Sequence, residues 1–131
     1  MEAEELSGFL NFYLTNMCEI ALKYGGTIDK FIGDSVMIFF GDPQSKGPEQ
    51  DALACCNMGL EMLAFVEKNE ELFKEQFNFP EKLEIRIGVH SGVCSVGNFG
   101  SDQRLDYTVI GRAVNVAAVS YTHLRAHETR T

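Results

Sequence analysis

The first part of the chain has the hydrophobic periodicity of an amphipathic helix. Its apolar residues recur at helical spacing: Leu6, Phe9, Leu10, Tyr13, Leu14, Met17, Ala21 and Tyr24. This spacing places them on one face of a helix over residues 4–24, which should pack against the rest of the domain. Gly25 and Gly26 follow directly, and glycine commonly ends a helix because it tolerates a positive φ.

Two short runs rich in β-branched and aromatic residues come next, 27–32 and 35–40, and only Gly33 and Asp34 separate them. A two-residue connection that begins with glycine is typical of a β-hairpin. The second run is largely apolar at even and at odd positions, and such a strand is normally covered on both faces. Because helices can cover one face, we expect a partner subunit to cover part of the other.

The remaining chain predicts a second helix over residues 49–69 and a half-buried strand over 83–89, where apolar and polar residues alternate. Four shorter predicted segments complete the order: a strand at 93–96, a polar excursion at 97–106, a strand at 107–110 and a helix start at 112–118. Helices beside a mainly antiparallel sheet make an α+β domain. The order predicts a ferredoxin-like antiparallel sheet with helices on one face and the first strand of that fold missing.

Composition and charge narrow the possible partners. The 131 residues are 45% hydrophobic and 23% charged, which is typical of one globular domain. The net charge of −8 argues against nucleic acid or an anionic lipid surface as the main partner. No apolar run reaches the roughly 20 residues of a membrane helix, and the start does not resemble a signal peptide. We therefore expect a cytoplasmic segment without membrane contact, which leaves open whether a parent protein is membrane-attached.

Lys30 and Asp34 are candidates for chemistry, although each also has an ordinary structural explanation. Simple strand alternation puts Lys30 on the same face as Ile28 and Ile32. An unpaired ammonium is costly to bury there unless its flexible stem carries the charge to water. Asp34 occupies the predicted hairpin turn, where aspartate is common for conformational reasons. Neither residue by itself indicates a site.

Several sequence blocks together resemble the class III nucleotidyl cyclases. Residues 24–37, YGGTIDKFIGDSVM, are similar to the metal-site hairpin of that family. Residues 85–92 and 96–100 resemble the next part of the same domain, and residues 107–118 resemble its substrate segment. The likeness covers residues 1–118 in order, and long blocks at the right separations are far more specific than a lone glycine motif.

The resemblance implies a fragment of an adenylate cyclase catalytic domain, which converts ATP to cyclic AMP and pyrophosphate by two-metal catalysis at a dimer interface. It assigns Asp34 to the metal site, which holds two Mg²⁺ (or Mn²⁺) ions in the intact domain. It assigns Lys30 and Thr108 to the purine, and Asn115 to the ribose as a substrate-binding and catalytic residue. In this family the metal aspartates and the base-reading residues come from different chains. The implied partners are therefore ATP and a second copy of the chain.

The choice of base follows from hydrogen-bond donors and acceptors. Lysine can only donate, whereas a hydroxyl group can accept. Adenine offers an acceptor at N1 and a donor at N6, and guanine reverses this pattern. Lys30 with Thr108 therefore suits ATP, whereas an acidic residue at position 30 would suit GTP.

Both ends of the chain depart from the family pattern. The strand that carries the other metal aspartate would precede Glu2. Val119 stands where the family has an arginine that stabilises the α-phosphate. Residues 119–131 resemble a translated sequencing adapter, so we predict a partial cyclase domain at 1–118 followed by a non-native tail at 119–131. We expect this fragment to be inactive by itself.

Two other functions stay open at this point. A non-catalytic cyclase-homology module that dimerises or binds nucleotide would share the same blocks. An aspartate in the upstream strand would favour the enzyme over that module. An unrelated ferredoxin-like metabolite-binding domain fits the order of elements but not the motif blocks.

Overall fold

The computed structural model describes residues 2–42, 44–79, 82–101 and 104–110. The elements in chain order are helix α1 (Ala3–Lys23), strands β1 (Thr27–Ile32) and β2 (Ser35–Phe39), helices α2 (Pro48–Lys68) and α3 (Glu70–Phe77), and strands β3 (Ser95–Ser101) and β4 (Arg104–Ile110). Both strand pairs are antiparallel. The expected α+β class is confirmed. The predicted helix at 112–118 lies outside the described residues.

Helix α1 agrees with the predicted helix over residues 4–24 to within one residue at each end. At its start the Glu2 amide donates to the Glu5 carboxylate at 3.0 Å, which satisfies a backbone group at the helix entry. At its end Gly25 has a φ of +84°, and the Gly26 amide donates to the Ala21 carbonyl at 2.9 Å. A Cβ on Gly26 would lie only 2.8 Å from Ile38 Cγ2. Glycine at position 26 therefore lets the helix end close against the hairpin.

Strands β1 and β2 form the predicted hairpin, with Gly33 and Asp34 in its turn. Gly33 has a φ of +62°, which fits a glycine in the first position of a two-residue hairpin turn. The ladder contains a β-bulge between Ile28 and Lys30. This bulge determines the face on which the candidate lysine lies.

The core is formed by three helices and one face of this hairpin. Its buried residues come from α1, α2 and α3: Phe9, Met17, Ile20, Ala21, Met58, Met62, Val66 and Phe73. Phe73 of α3 packs edge-to-face on Phe9 with ring centroids 5.3 Å apart. Ile28 and Ile38 of the hairpin pack against this cluster. Burial of one such side chain stabilises the fold by about 1.5–3 kcal/mol.

The strand predicted at 83–89 is absent. Residues 82–94 form no ladder with any described residue. The alternation nevertheless reports burial correctly, because Leu83, Ile85 and Ile87 pack against the core while Glu84 and Arg86 are exposed. The segment lacks the hydrogen-bonded neighbour that a strand needs, since no described strand lies beside it.

The prediction of a polar excursion at 97–106 is also wrong. This region belongs to the β3–β4 hairpin, in which Ser95 pairs with Ile110 and Ser101 pairs with Arg104. Its glycines and polar residues give no strand signal in the sequence, because this ladder depends on the facing strand rather than on local hydrophobicity. In the described part of the chain, the strands form separate two-stranded sheets, β1–β2 and β3–β4.

Candidate functional site

Lys30 lies on the face of the hairpin that points away from the helices. Residues directly opposite each other in an antiparallel pair share a face. Ile28 is opposite Ile38 on the core side, whereas Lys30 is opposite Met37. The prediction that Lys30 shares a face with Ile28 is therefore wrong. The extra residue of the bulge, Asp29, reverses the alternation of the strand.

Because of the bulge, Lys30 is exposed and its ammonium group is not buried. Its side chain is exposed, so its ammonium group needs no partner inside the protein. We call this side of the hairpin, which carries Lys30, Ile32, Ser35 and Met37, the open face. Ile32 is 56% exposed although it is apolar, and it makes the tip of the open face suited to contact with another molecule.

Asp34 lies in the turn that joins β1 to β2, where its side chain is exposed. It borders a groove of about 510 Å³ between β2 and the segment 83–89. A carboxylate is the ligand type that Mg²⁺ and Mn²⁺ prefer, and Mg²⁺ needs few protein ligands because phosphates and waters supply the others. Within the described ranges, no group of three or more His, Cys, Asp or Glu residues is arranged to hold a metal ion. The assignment of Asp34 to a metal site stays a prediction.

Thr108 lies in β4, opposite Gly97 of β3. Strand β4 comes close to β1, the strand of Lys30. The fold thus brings together the two strands that carry the predicted base-reading residues, although they are far apart in sequence. Asn115 and Val119 lie outside the described residues.

A polar cluster that the sequence did not reveal joins α1 to α2. One carboxylate oxygen of Glu61, Oε1, accepts from Lys23 Nζ at 2.8 Å and from the Tyr24 hydroxyl at 2.7 Å. The hydrogen bond from Lys23, followed by that from Tyr24, lowers the pKa of Glu61. The same bonds to Glu61 raise the pKa of Lys23 and of Tyr24. No residue spacing marks this cluster, because it joins side chains from two helices.

Burial affects two of the four cysteine thiols. Cys18, Cys55, Cys56 and Cys94 are all free thiols. Burial raises the pKa of Cys18, and burial followed by the neighbouring Cys56 raises the pKa of Cys55. A raised pKa keeps a thiol protonated, and the protonated form is a poor nucleophile and metal ligand.

Comparison with known proteins identifies the family. Residues 1–126 match the family model described as the adenylate and guanylate cyclase catalytic domain. The chain belongs to this family. The adenylate cyclase of Anabaena cylindrica is 36% identical to it over 118 residues, which is 90% of this chain and 22% of the relative. The adenylate cyclase 1 of Rhizobium meliloti is 32% identical, over 88% of this chain and 17% of the relative.

Solved cyclase structures share the fold. The crystal structure of the adenylyl cyclase CyaB from P. aeruginosa superimposes with a TM-score of 0.86 and 46% identity, covering 94% of this chain and 62% of that one. The guanylyl cyclase Cya2 superimposes with a TM-score of 0.83 and 32% identity, covering 94% and 60%. Because both an adenylyl and a guanylyl cyclase resemble the chain, fold alone does not decide the base.

The cyclase chain is short beside its relatives. It spans about a fifth of the length of the curated adenylate cyclases that it matches, and about three fifths of the solved chains. The family match continues past residue 118, and the boundary between domain and tail stays a prediction. None of the helices in the described ranges has both the length and the apolar character needed to cross a membrane.

Proposed function

We propose that this cyclase chain is part of an adenylate cyclase catalytic domain, which forms cyclic AMP and pyrophosphate from ATP. The observation that carries the proposal is the placement of Lys30 on the open face, on the strand that β4 approaches. The 46% identity to an adenylyl cyclase of known structure supports the same assignment.

Lys30 and Thr108 read the purine in this proposal. The Lys30 ammonium donates to adenine N1, and the Thr108 hydroxyl accepts from the adenine N6 amino group. Guanine would place a donor against the lysine and an acceptor against the hydroxyl. A mismatched polar pair costs about 1–3 kcal/mol, which corresponds to roughly tenfold to hundredfold discrimination.

Asp34 would hold the metal ions, Mg²⁺ or Mn²⁺, two per complete site. When bound, such ions lower the pKa of an attacking hydroxyl and neutralise the leaving phosphates. Because the net charge is −8, an anionic nucleotide needs metal ions or well-placed backbone amides to offset the charge of its phosphates. Asp34 is exposed at the end of a hairpin. Its carboxylate can therefore share a metal ion with ligands that the described residues do not supply.

In the intact domain, a second copy contributes residues to the same site. Phe31 and Ile32 at the tip of the hairpin are 52% and 56% exposed, and apolar surface of this kind favours contact with a partner subunit. In the reaction the ribose 3′ hydroxyl releases its proton to solvent water, and its oxygen bonds to the α-phosphorus. The bond from that phosphorus to the pyrophosphate oxygen breaks. Asn115 orients the ribose for this in-line attack.

The cellular setting follows from charge and cysteine chemistry. We place the segment in the cytoplasm, without nucleic acid or membrane lipid as a partner. The net charge of −8 disfavours polyanions, and the free thiols suit a reducing compartment. Residues 119–131 take no part in this function.

A chimera tests the proposal. Residues 1–118 would replace the matching segment of the P. aeruginosa CyaB catalytic domain, which supplies the remaining elements. We expect this chimera to form cyclic AMP from ATP with Mg²⁺ or Mn²⁺, whereas the isolated 131-residue chain forms none. A chimera that folds and dimerises but makes no cyclic AMP would favour the non-catalytic module.

A further inference from the structure

The outward side of helix α2 carries a row of exposed apolar residues. Leu53, Leu60 and Leu63 are 55%, 64% and 44% exposed, and Cys56 in the same row is exposed as well. Met58 is buried in the core on the opposite side of the helix. A helix that is apolar on its inner and on its outer side is typical of a helix with contacts on both sides. We call Leu53, Cys56, Leu60 and Leu63 the α2 seam.

The spacing of the α2 seam is that of a coiled coil. Its residues follow one another at intervals of three, four and three positions, which is the spacing by which one helix packs along another. A strand would present its side chains at intervals of two and could not match this row. From Leu53 to Leu63 the seam is about 15 Å long, which is roughly three helical turns. The spacing therefore selects a helix as the occupant.

A glutamate stands at each end of the α2 seam. Four further positions in either direction along the same row lead to Glu49 and to Glu67, and both side chains are exposed. Lys68 is adjacent to Glu67 in sequence but is turned about 100° away around the helix. The helix positions beside the row are uncharged: Gln50, Ala52, Asn57, Gly59, Ala64 and Val66. The row is therefore apolar in its middle and negative at both ends.

A second copy of the chain does not match the α2 seam. In an antiparallel pair of α2 helices, Glu49 of one copy would lie opposite Glu67 of the other, and in a parallel pair each glutamate would lie opposite its own equivalent. A shift by one heptad would place a glutamate against an apolar residue. Like charges across a helix pair disfavour the pairing, whereas a basic residue at each end of a partner helix would complement both glutamates.

We propose that the α2 seam binds one amphipathic helix from outside this chain, with large apolar side chains at heptad positions and a lysine or arginine at each end. The apolar row supplies the contact area, and the charges at the two ends determine the register and the choice of partner. The proposal does not depend on nucleotide turnover, because the seam lies on the side of α2 that is turned away from the core and from the hairpin packed against it.

The test uses a synthetic helical peptide as the probe. The peptide acetyl-KAQALAQLAQALAQLAQAK-amide repeats the spacing of the row from Glu49 to Glu67, with leucine at the apolar positions and lysine at the ends. It carries a fluorophore and is kept at nanomolar concentration, and its anisotropy is followed as the 131-residue chain is added. We expect saturable binding. The same peptide with glutamate in place of both lysines should bind at least about fivefold more weakly at low salt, and added salt should reduce this difference.

Two exposed leucines provide a matched pair of protein variants. Leu60 is in the α2 seam and is 64% exposed, whereas Leu22 of α1 is outside it and is 62% exposed. Leu60→Gln should weaken binding of the lysine peptide at least about fivefold through the lost apolar contact, and Leu22→Gln should leave it unchanged. Far-ultraviolet circular dichroism verifies that the helices of both variants are intact.

Reversal of charge tests the ends of the row. Glu49→Lys combined with Glu67→Lys should invert the preference, so that the glutamate peptide binds more tightly than the lysine peptide. The exposed thiol of Cys56 reports the position of the bound peptide. Saturating lysine peptide should slow alkylation of Cys56 by iodoacetamide at least about fivefold, because the helix would cover it, while alkylation of Cys94 should be unaffected.

Several results would overturn the proposal. They are the absence of saturable binding, equal affinity for the two peptides at low salt, equal effects of the two glutamine variants, or unchanged alkylation of Cys56. A dimer in sedimentation that Leu60→Gln dissociates would show that a second copy covers the seam instead. Cosedimentation with phosphatidylcholine vesicles that is lost in Leu60→Gln would assign the seam to a lipid surface.

Discussion

Lys30 lies directly opposite Met37 across the β1–β2 hairpin, one residue beyond the bulge at Asp29. Without that extra residue, strand alternation would place the lysine with Ile28 and Ile38 against the helices. A single inserted position therefore determines whether a charged side chain is available to a ligand or buried in the core.

Deletion of Asp29 tests this relationship. We expect the deletion to turn Lys30 toward the core and to lower the free energy of unfolding by about 2 kcal/mol or more, because an ammonium group would meet apolar side chains. Asp29→Asn keeps the length of the strand and should cost clearly less. Urea unfolding of both variants measures the difference. If both variants lost the same free energy of unfolding, the carboxylate of Asp29 would stabilise the fold and the strand register would not.

The assignment of the base predicts a change of substrate. In the cyclase chimera, Lys30→Glu with Thr108→Cys should move the ratio of kcat/KM for ATP to that for GTP toward GTP by at least about tenfold, since the donor at position 30 becomes an acceptor. Lys46→Glu makes the same charge change at an exposed loop position and should leave the ratio unaltered. An unchanged ratio in the double variant would remove both residues from base recognition.

The metal assignment predicts a loss of turnover at Asp34. In the same chimera, Asp34→Ala should reduce cyclic AMP formation by about a hundredfold or more with either Mg²⁺ or Mn²⁺. Because the side chain is exposed in a turn, thermal stability should change little. Glu75→Ala removes another exposed carboxylate and serves as the control. Full activity of the Asp34 variant would exclude this residue from the metal site.

The cluster at Glu61 predicts a dependence of stability on pH. The bonds from Lys23 and Tyr24 lower the pKa of Glu61 below its ordinary value of 4.5. The contribution of this carboxylate is therefore present above pH 4.5 and is lost as the pH falls through the lowered pKa. The raised pKa values of Lys23 and Tyr24 imply a second loss at alkaline pH, as those groups deprotonate.

Variants at position 61 isolate this effect from the other carboxylates. The melting temperature of Glu61→Gln, measured from pH 3 to 8, should lie below that of the unaltered chain at neutral pH and approach it in acid. Glu67→Gln, an exposed change on the same helix, should follow the unaltered chain throughout. If the melting temperatures of Glu61→Gln and the unaltered chain changed in parallel with pH, the cluster would contribute nothing to the pH dependence of stability.

Substitution of alanine for each of two glycines should change the stability of the fold in opposite directions. A Cβ at Gly26 would lie 2.8 Å from Ile38 Cγ2 and 3.1 Å from the Ala21 carbonyl oxygen, so Gly26→Ala should destabilise the fold by about 1–3 kcal/mol. Gly8 lies inside α1, and its Cβ would meet only the Phe77 ring at 3.4 Å. Gly8→Ala should stabilise the fold by about 0.5–1 kcal/mol through helix propensity. Chemical unfolding of the pair measures both signs.

Elements with strong local signals were predictable from the sequence, whereas pairings between distant segments were not. The stripe of α1, its glycine stop and the turn at Gly33 and Asp34 are local patterns, and each is confirmed. Alternation at 83–89 predicted burial but not the absence of a ladder. The bulge at Asp29 has no signal in the residues around it, so the face of Lys30 was predicted wrongly. The β3–β4 ladder was not predicted either, because the sequence of one strand does not specify the strand with which it pairs.

The division into two hairpins has a consequence for the order of folding. Each ladder joins neighbouring stretches of chain, so each hairpin closes at a small loss of loop entropy. The approach of β4 to β1 joins residues that are tens of positions apart, and contacts of that kind form late and limit the rate. We expect Lys30 and Thr108 to come together only after both hairpins exist. We expect partial opening at the contact between β4 and β1 to separate Lys30 from Thr108 while the strands of each hairpin stay paired.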